Sequence, residues 1–351
     1  MKGFGVYSLH NAGPMEKPDP VIVYPTDVIV KTTCVAPCTS DNHLIHNDFV
    51  PGIYGHFIGH EAVGIVAEVG PAVKDFKVGD RVSCPGNGPN FGSLLGQAGV
   101  WAHAPGSSRS QDPDCEGMFA EYQYFKNGDM YLAHIPDEVS DKQAVMVSDM
   151  MGTAFNGLNQ MDIRFGESVA IIGIGPVGLM GVAGAVLKGA GNVIGVGHRA
   201  VCKRLAIEYG ATSVVDYKET DIVSGIMAAN GGKSVDKVLI CGGTTDTILD
   251  AFKVCRPGGC IINVAMMVNE DGTMPPYHCL PSYSQDKLYR SCQVIGGRLL
   301  NEQMMALIKY GRVDPGKMVT HEYHGIDSIE EAFTAMGNKT EDLVKPVVYI
   351  D

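Results

Sequence analysis

Ser168-Val-Ala-Ile-Ile-Gly-Ile174, followed by Gly175-Pro-Val-Gly178 and the stretch Leu179–Leu187, decides the architecture of this 351-residue chain. The run Ser168–Ile174 is almost continuously apolar, as a strand covered on both faces requires. It passes into the turn Gly173-Ile174-Gly175-Pro176-Val177-Gly178, and Leu179–Leu187 reads as a helix. In a Gly-x-Gly-x-x-Gly turn the first glycine makes the bend and the second admits a pyrophosphate close to the backbone. The third lets helix and strand pack together, with the pyrophosphate against the helix N-terminus. Working outward, further buried strand candidates fall at Asn192–Gly197, Ser213–Asp216, Val235–Ile240 and Cys260–Val264, with helical segments between them. Strands alternating with helices predict an α/β fold with a parallel, doubly wound sheet of the Rossmann type.

The end of the second strand selects the dinucleotide. A site for NAD places Asp or Glu about 20 residues on, to bind the ribose 2′-hydroxyl. Here Val193–Val196 ends in Gly197-His198-Arg199. A carboxylate would repel a 2′-phosphate, whereas glycine makes room and the arginine fork pairs with it. Tyr217, after the third strand, is placed to donate to the same phosphate or stack on the adenine. NADP is therefore the expected cofactor.

The flanks differ in character. The first 150 or so residues are β-rich, with strand candidates at Val21–Val30 and Ala62–Val69 and another led by Gly79-Asp80-Arg81-Val82. From Ser83 to Glu116 the periodicity is lost and loop residues dominate. Asp141–Met161 reads as one helix beginning after Ser140, and the tail carries helices at Asn301–Tyr310 and near Ile329–Met336 before a strand at Val344–Ile350. The chain is too long for one ordinary core. Its net charge of −12 argues against a general affinity for nucleic acid or an anionic membrane. No apolar run reaches the roughly 20 residues of a membrane span, and the N-terminus lacks a secretory segment, so a cytoplasmic protein is expected. The ten cysteines are scattered with no Cys-x-x-Cys pair, unlike a small disulfide framework.

Within the β-rich part, Ala36-Pro-Cys38-Thr-Ser40-Asp41 precedes Gly59-His60-Glu61-Ala-Val-Gly64, which continues through Gly70 and Val73. Together with Gly79-Asp80-Arg81-Val82 and the later dinucleotide turn, this order resembles the medium-chain, zinc-dependent alcohol dehydrogenases over nearly the whole chain. It is most similar to the NADP-dependent secondary-alcohol dehydrogenases. Shared stretches include Gly173–Met180, Gly210–Thr212, Arg312–His321 and Asp342–Val348. The resemblance implies a GroES-like catalytic domain, residues 1–149 completed by 295–351, around an inserted NADP domain, residues 150–294. The active site is expected between the two domains and the assembly to be a homotetramer.

The resemblance also implies a ligand set for one catalytic zinc: Cys38, His60 and Asp149, with Glu61 as an exchangeable fourth. A thiolate, an imidazole and carboxylates are the donors zinc takes in a tetrahedral site. The four closely spaced cysteines of a structural zinc lobe are missing, with only Cys84 and Cys115 in that region. Ser40 and His43 match the family's proton relay, and an imidazole titrating near neutrality suits proton exchange. Val264, Ala265 and Met266 are expected beside the nicotinamide, and Lys339 near the cofactor. The substrate would be a small secondary alcohol or ketone. A tryptophan usual in that pocket is replaced in a neighbourhood reading Ser107-Ser-Arg109-Ser-Gln111. The usual alanine becomes Gly86, and Met266 and Met267 stand near the place of a tyrosine, so the pocket is expected to be larger or more plastic. A polyol or amino-alcohol dehydrogenase of the same superfamily, and a non-catalytic NADPH-binding protein, are the competing readings.

Overall fold

The computed structural model describes residues 1–46, 52–100, 104, 115–267 and 286–350. The chain divides into two compact units, one formed by Met1–Gly152 with Val294–Asp351 and the other by Thr153–Gln293.

The first unit opens with β1 (Lys2–Ser8) and β2 (Asn11–Glu16), then β3 (Val28–Val35), β4 (His56–Phe57), β5 (Glu61–Val69), β6 (Arg81–Pro85), β7 (Tyr122–Phe125) and β8 (Ala133–His134). β1 pairs with β2 and β4 in a small antiparallel sheet. β3 is the hub of the larger sheet: its residues Val28–Lys31 pair with β7 on one side, and its whole length pairs with β5 on the other. The segment expected as a strand from Val21 begins its pairing only at Val28. The buried Asp27 carboxylate accepts the N–H groups of Val23 (3.3 Å) and Tyr24 (2.6 Å), which closes a turn around Pro25 and leaves Val21 and Val23 exposed.

The second unit holds β9 (Ser168–Ile172), β10 (Asn192–Val196), β11 (Ser213–Val215), β12 (Val235–Ile240), β13 (Cys255–Asn263) and β14 (Leu288–Ser291). Every pairing is parallel, in the order β11-β10-β9-β12-β13-β14. This is the 3-2-1-4-5-6 order of a dinucleotide-binding sheet. Its inner strands are Val- and Ile-rich with almost every residue buried, because helices cover both faces. The chain returns to the first unit for the helix Arg298–Lys309, then β15 (Val319–His324), the helix Ile329–Asn338 and β16 (Lys345–Tyr349). β16 pairs with β15 and, antiparallel, with the end of β3. Among the described residues no helix is long and apolar enough to cross a membrane.

Candidate metal centre and dinucleotide site

Four side chains of the first unit converge. One ligand atom each from Cys38, His60, Glu61 and Asp149 lies within 4.8 Å of all the others. Local structure explains each placement. Cys38 ends the segment leaving β3, directly before the helix Thr39–His46. His60 follows Gly59, whose φ of +101° favours glycine, and a Cβ there would come within 2.3 Å of the Phe119 ring. The glycine thus turns the chain into β5 with His60 and Glu61 at its head. Gly86, on the neighbouring segment, packs against His60: a Cβ there would lie 2.8 Å from the His60 Cβ.

Asp149 falls where the sequence predicts one continuous helix, Asp141–Met161. The helix is instead interrupted. Asp141–Met146 is α-helical, Val147–Met151 makes a π-helical turn and Gly152–Asn159 resumes the α-helix. An extra residue in the turn re-aims side chains, and such turns gather at functional sites. Here it brings the Asp149 carboxylate to 3.5 Å from the His60 Nε2.

The orientation of His60 is fixed from behind. Its Nδ1 lies 2.8 Å from Asp41 Oδ1, while the other Asp41 oxygen accepts the Cys38 N–H at 3.0 Å. Asp41 is fully buried, so one carboxylate locks two of the four residues. With Nδ1 engaged, Nε2 points into the cluster, 3.9 Å from Glu61 Oε1 and 3.4 Å from the Ser40 hydroxyl. Burial alone would lower the His60 pKa. The Asp41 charge, with hydrogen bonds to Asp149, Asp41 and Cys38, outweighs it and raises the imidazole well above its ordinary value. The surroundings favour positive charge at that place.

Glu61 shows the same demand. Burial pushes its carboxyl up to about 7; Lys345 opposes the rise, and Asp149 adds to it. Lys345 Nζ donates to Glu61 Oε1 at 2.6 Å with both side chains fully buried. The lysine stays charged because Glu61 and Cys38 overcome the cost of its burial. Glu61 Oε2 is buried and has no hydrogen-bond partner. An orphaned buried carboxylate oxygen beside a thiol, an imidazole and a second carboxylate is what a zinc-type cation satisfies, so the donor set fits the metal. Asp41 and Lys345 lie within stretches shared with the family, yet the sequence reading assigned them no role.

Ser40 stands in the first turn of the helix Thr39–His46, and His43 one turn further on, half-buried. Burial lowers the His43 pKa, and the charges of Lys339 and His46 lower it further, so the ring is neutral near pH 7. Lys339 closes the helix Ile329–Asn338 in a left-handed conformation, φ +48°.

The second unit carries the dinucleotide turn. Gly173 adopts φ +92°, and Gly175 caps the helix Pro176–Leu187, whose first residue is Pro176. A Cβ on Gly178 would sit 1.8 Å from the Gly173 carbonyl oxygen, so helix and strand meet only if that residue has no side chain. A Cβ on Gly175 would meet nothing within 4 Å, which leaves an open cradle over the turn. Ile174 is buried, and a Cβ on Gly197 would come within 2.3 Å of its side chain. Val177 follows Pro176 in the first turn of the helix.

At the end of β10, His198 Nδ1 lies 2.5 Å from the Tyr217 hydroxyl, with the rings edge to face. Arg199 caps the helix Ala200–Glu208. The neighbouring Asp216 is committed elsewhere: the Lys203 ammonium at 2.6 Å and the Lys218 N–H hold its pKa below the ordinary value. Beyond β13, Asn263 exchanges hydrogen bonds with the Ala265 backbone and so fixes Val264–Met266, with Met266 exposed and Met267 buried. Ser107, Arg109 and Gln111 lie outside the described residues.

The chain is similar to known proteins over its whole length. Residues 176–308 match the family model described as zinc-binding dehydrogenase, and residues 24–137 match the alcohol dehydrogenase GroES-like domain. The chain is 43% identical over its full length to the whole NADP-dependent isopropanol dehydrogenase of Thermoanaerobacter brockii. It is 42% identical, again over both full lengths, to the enzyme of that name from Clostridium beijerinckii. Among solved structures, zinc dependent alcohol dehydrogenase 2 from Streptococcus pneumonia superposes with a TM-score of 0.90 at 26% identity, covering 100% of this chain and 99% of that one.

Proposed function

Because the chain belongs to the family of zinc-binding alcohol dehydrogenases, we propose that it moves hydride between NADP(H) and small secondary alcohols and ketones, with one zinc ion held by Cys38, His60, Glu61 and Asp149. The observation that carries this is the convergence of those four donors around a buried carboxylate oxygen that has no partner of its own. A zinc ion there supplies Lewis acidity toward the substrate oxygen.

The protein's own residues do the rest. Ser40, whose hydroxyl lies beside His60, takes the proton from an alcohol or returns it to a nascent one. His43, neutral near pH 7, exchanges that proton with solvent. Asp41 keeps His60 aimed, and Lys345 compensates the Glu61 charge. The turn Gly173–Gly178 carries the pyrophosphate. Gly197 leaves room for the 2′-phosphate, which His198, Arg199 and Tyr217 bind. Val264, Ala265 and Met266 flank the nicotinamide, and Lys339 contributes a cation near the cofactor. The reading includes a homotetramer and a cytoplasmic location.

The test is NADPH oxidation with a panel of small ketones, on protein whose zinc content is determined, before and after chelation and zinc restoration. About one zinc per chain with chelator-sensitive turnover of acetone or butanone is expected. Zinc without turnover of simple ketones moves the assignment to polyols or amino alcohols. Dinucleotide binding with no zinc at all overturns the dehydrogenase assignment. The Arg199→Ala variant is expected to lose preference for NADPH over NADH by roughly tenfold to a hundredfold, the worth of hydrogen bonds to a charged group.

A further inference from the structure

The strand beside the one that ends in Gly197-His198-Arg199 carries an acid at its own end. β10 and β11 run parallel with Val196 beside Val215, and the Gly197 N–H donates to the Val215 carbonyl at 3.0 Å. Asp216, the next residue, therefore emerges at the same edge of the sheet, outside the strand ends, where such folds bind a dinucleotide. Its place is fixed by its own turn. The Asp216 carbonyl accepts the Thr220 N–H at 2.9 Å, and Oδ1 accepts the Lys218 N–H at 3.0 Å. Tyr217, between Asp216 and Lys218, reaches back to His198 across 2.5 Å. The acid thus stands one residue from a group proposed to bind the 2′-phosphate.

An ionised carboxylate there opposes NADP, because it repels the phosphate. The neighbouring helix answers it with a cation. Lys203 lies one turn beyond Arg199 in the helix Ala200–Glu208, its N–H bonded to the Arg199 carbonyl at 3.0 Å. Residues four apart share a helix face. From that face the Lys203 ammonium meets Asp216 Oδ2 at 2.6 Å, whereas Arg204, the next residue, pairs with Glu208. The Lys203 contact and the Lys218 N–H hold the Asp216 carboxyl below its ordinary value, so it is ionised near pH 7 and its charge is balanced by the lysine.

We infer that Lys203 sets cofactor choice through Asp216: by balancing this carboxylate it keeps the pocket of Gly197, His198, Arg199 and Tyr217 open to a 2′-phosphate. The inference rests on the NADP reading of that pocket and deepens it. Without its partner, Asp216 repels the phosphate of NADPH and leaves NADH binding as it was.

The experiment measures NADPH and NADH affinity by nicotinamide fluorescence on zinc-loaded protein, in low-salt buffer because salt screens such charges. The parent should prefer NADPH. Lys203→Met should bind NADPH roughly tenfold less tightly, the scale on which one partly exposed charge acts on another, with NADH affinity unchanged. Its melting temperature should stay near the parent's, since a pair open to solvent adds little stability. Lys203→Arg, which keeps the charge, should retain NADPH affinity. Asp216→Asn added to Lys203→Met should restore it, because the uncompensated carboxylate is then gone. Lys203→Met that keeps full NADPH affinity, or loses NADPH and NADH alike, overturns the inference. So does a double variant as weak as Lys203→Met, for the lysine would then act on the phosphate directly. A parent that prefers NADH overturns the NADP reading of the pocket, and this inference with it.

Discussion

Lys345 and Glu61, 284 positions apart in sequence, meet as a fully buried ion pair at 2.6 Å, and this contact joins β16 to the metal centre at the head of β5. Removing one partner of a buried pair leaves the other charge uncompensated. Lys345→Met is therefore expected to destabilise the zinc-free protein by about 3–5 kcal/mol in urea unfolding. Glu61→Gln added to Lys345→Met should recover a large part of the loss, because neither charge of this pair is then left without its partner. A double variant as unstable as Lys345→Met would show that the lysine acts through packing alone.

Asp41 accepts from both the Cys38 N–H and the His60 Nδ1. Asp41→Asn keeps the shape and one acceptor but removes the charge and turns the other atom into a donor. Zinc affinity, measured by chelator competition, should fall by roughly tenfold to a hundredfold, as for other groups that orient a ligand. The melting temperature of the zinc-free protein should change far less. Unaltered zinc affinity would remove Asp41 from the metal centre.

The two glycines at the helix start make opposite demands. A Cβ on Gly178 has no space, being 1.8 Å from a backbone oxygen, so Gly178→Ala should lower the stability of the cofactor unit along with NADPH binding. A Cβ on Gly175 meets nothing, so Gly175→Ala should fold and melt as the parent does. It should nonetheless bind NADPH less tightly in fluorescence titrations, because the added methyl fills the cradle proposed for the pyrophosphate. Full NADPH affinity in Gly175→Ala would place the pyrophosphate elsewhere.

Asp236 gives a pH dependence with a definite sign. Burial would raise its pKa, but the Arg256 guanidinium and the Ser168 N–H and hydroxyl hold it below the ordinary value. A carboxylate with a depressed folded-state pKa contributes stability above its unfolded pKa, near 3.9, and loses it as pH falls through the folded value. Asp236→Asn should therefore cost about 2 kcal/mol at pH 7. Its penalty should shrink below about pH 4, as the parent loses the same contribution. An equal penalty at pH 7 and pH 3 would mean that charge plays no part.

What the chain determined by itself is what local pattern encodes. The buried run into Gly173–Gly178 is one contiguous signal, because turn, close approach and helix start are neighbours in sequence. So are Cys38 with Ser40, and His60 with Glu61, each pair carried by one short segment. Tertiary structure alone decided the rest. Periodicity continues smoothly through Asp149, yet the π-helical turn that aims its carboxylate at His60 arises only where that helix packs. Asp41 reads as a first-turn acid of a short helix until His60, 19 residues on, supplies its ring nitrogen. His10 and His46, 36 residues apart, meet because a backbone hydrogen bond docks a turn on a helix end. Lys345 in a closing strand carries no local mark of its partner, for pairing across such a distance follows from sheet order and not from any repeat in the chain. Propensity and spacing act over a few residues; the electrostatic partners of this centre are chosen by packing over hundreds.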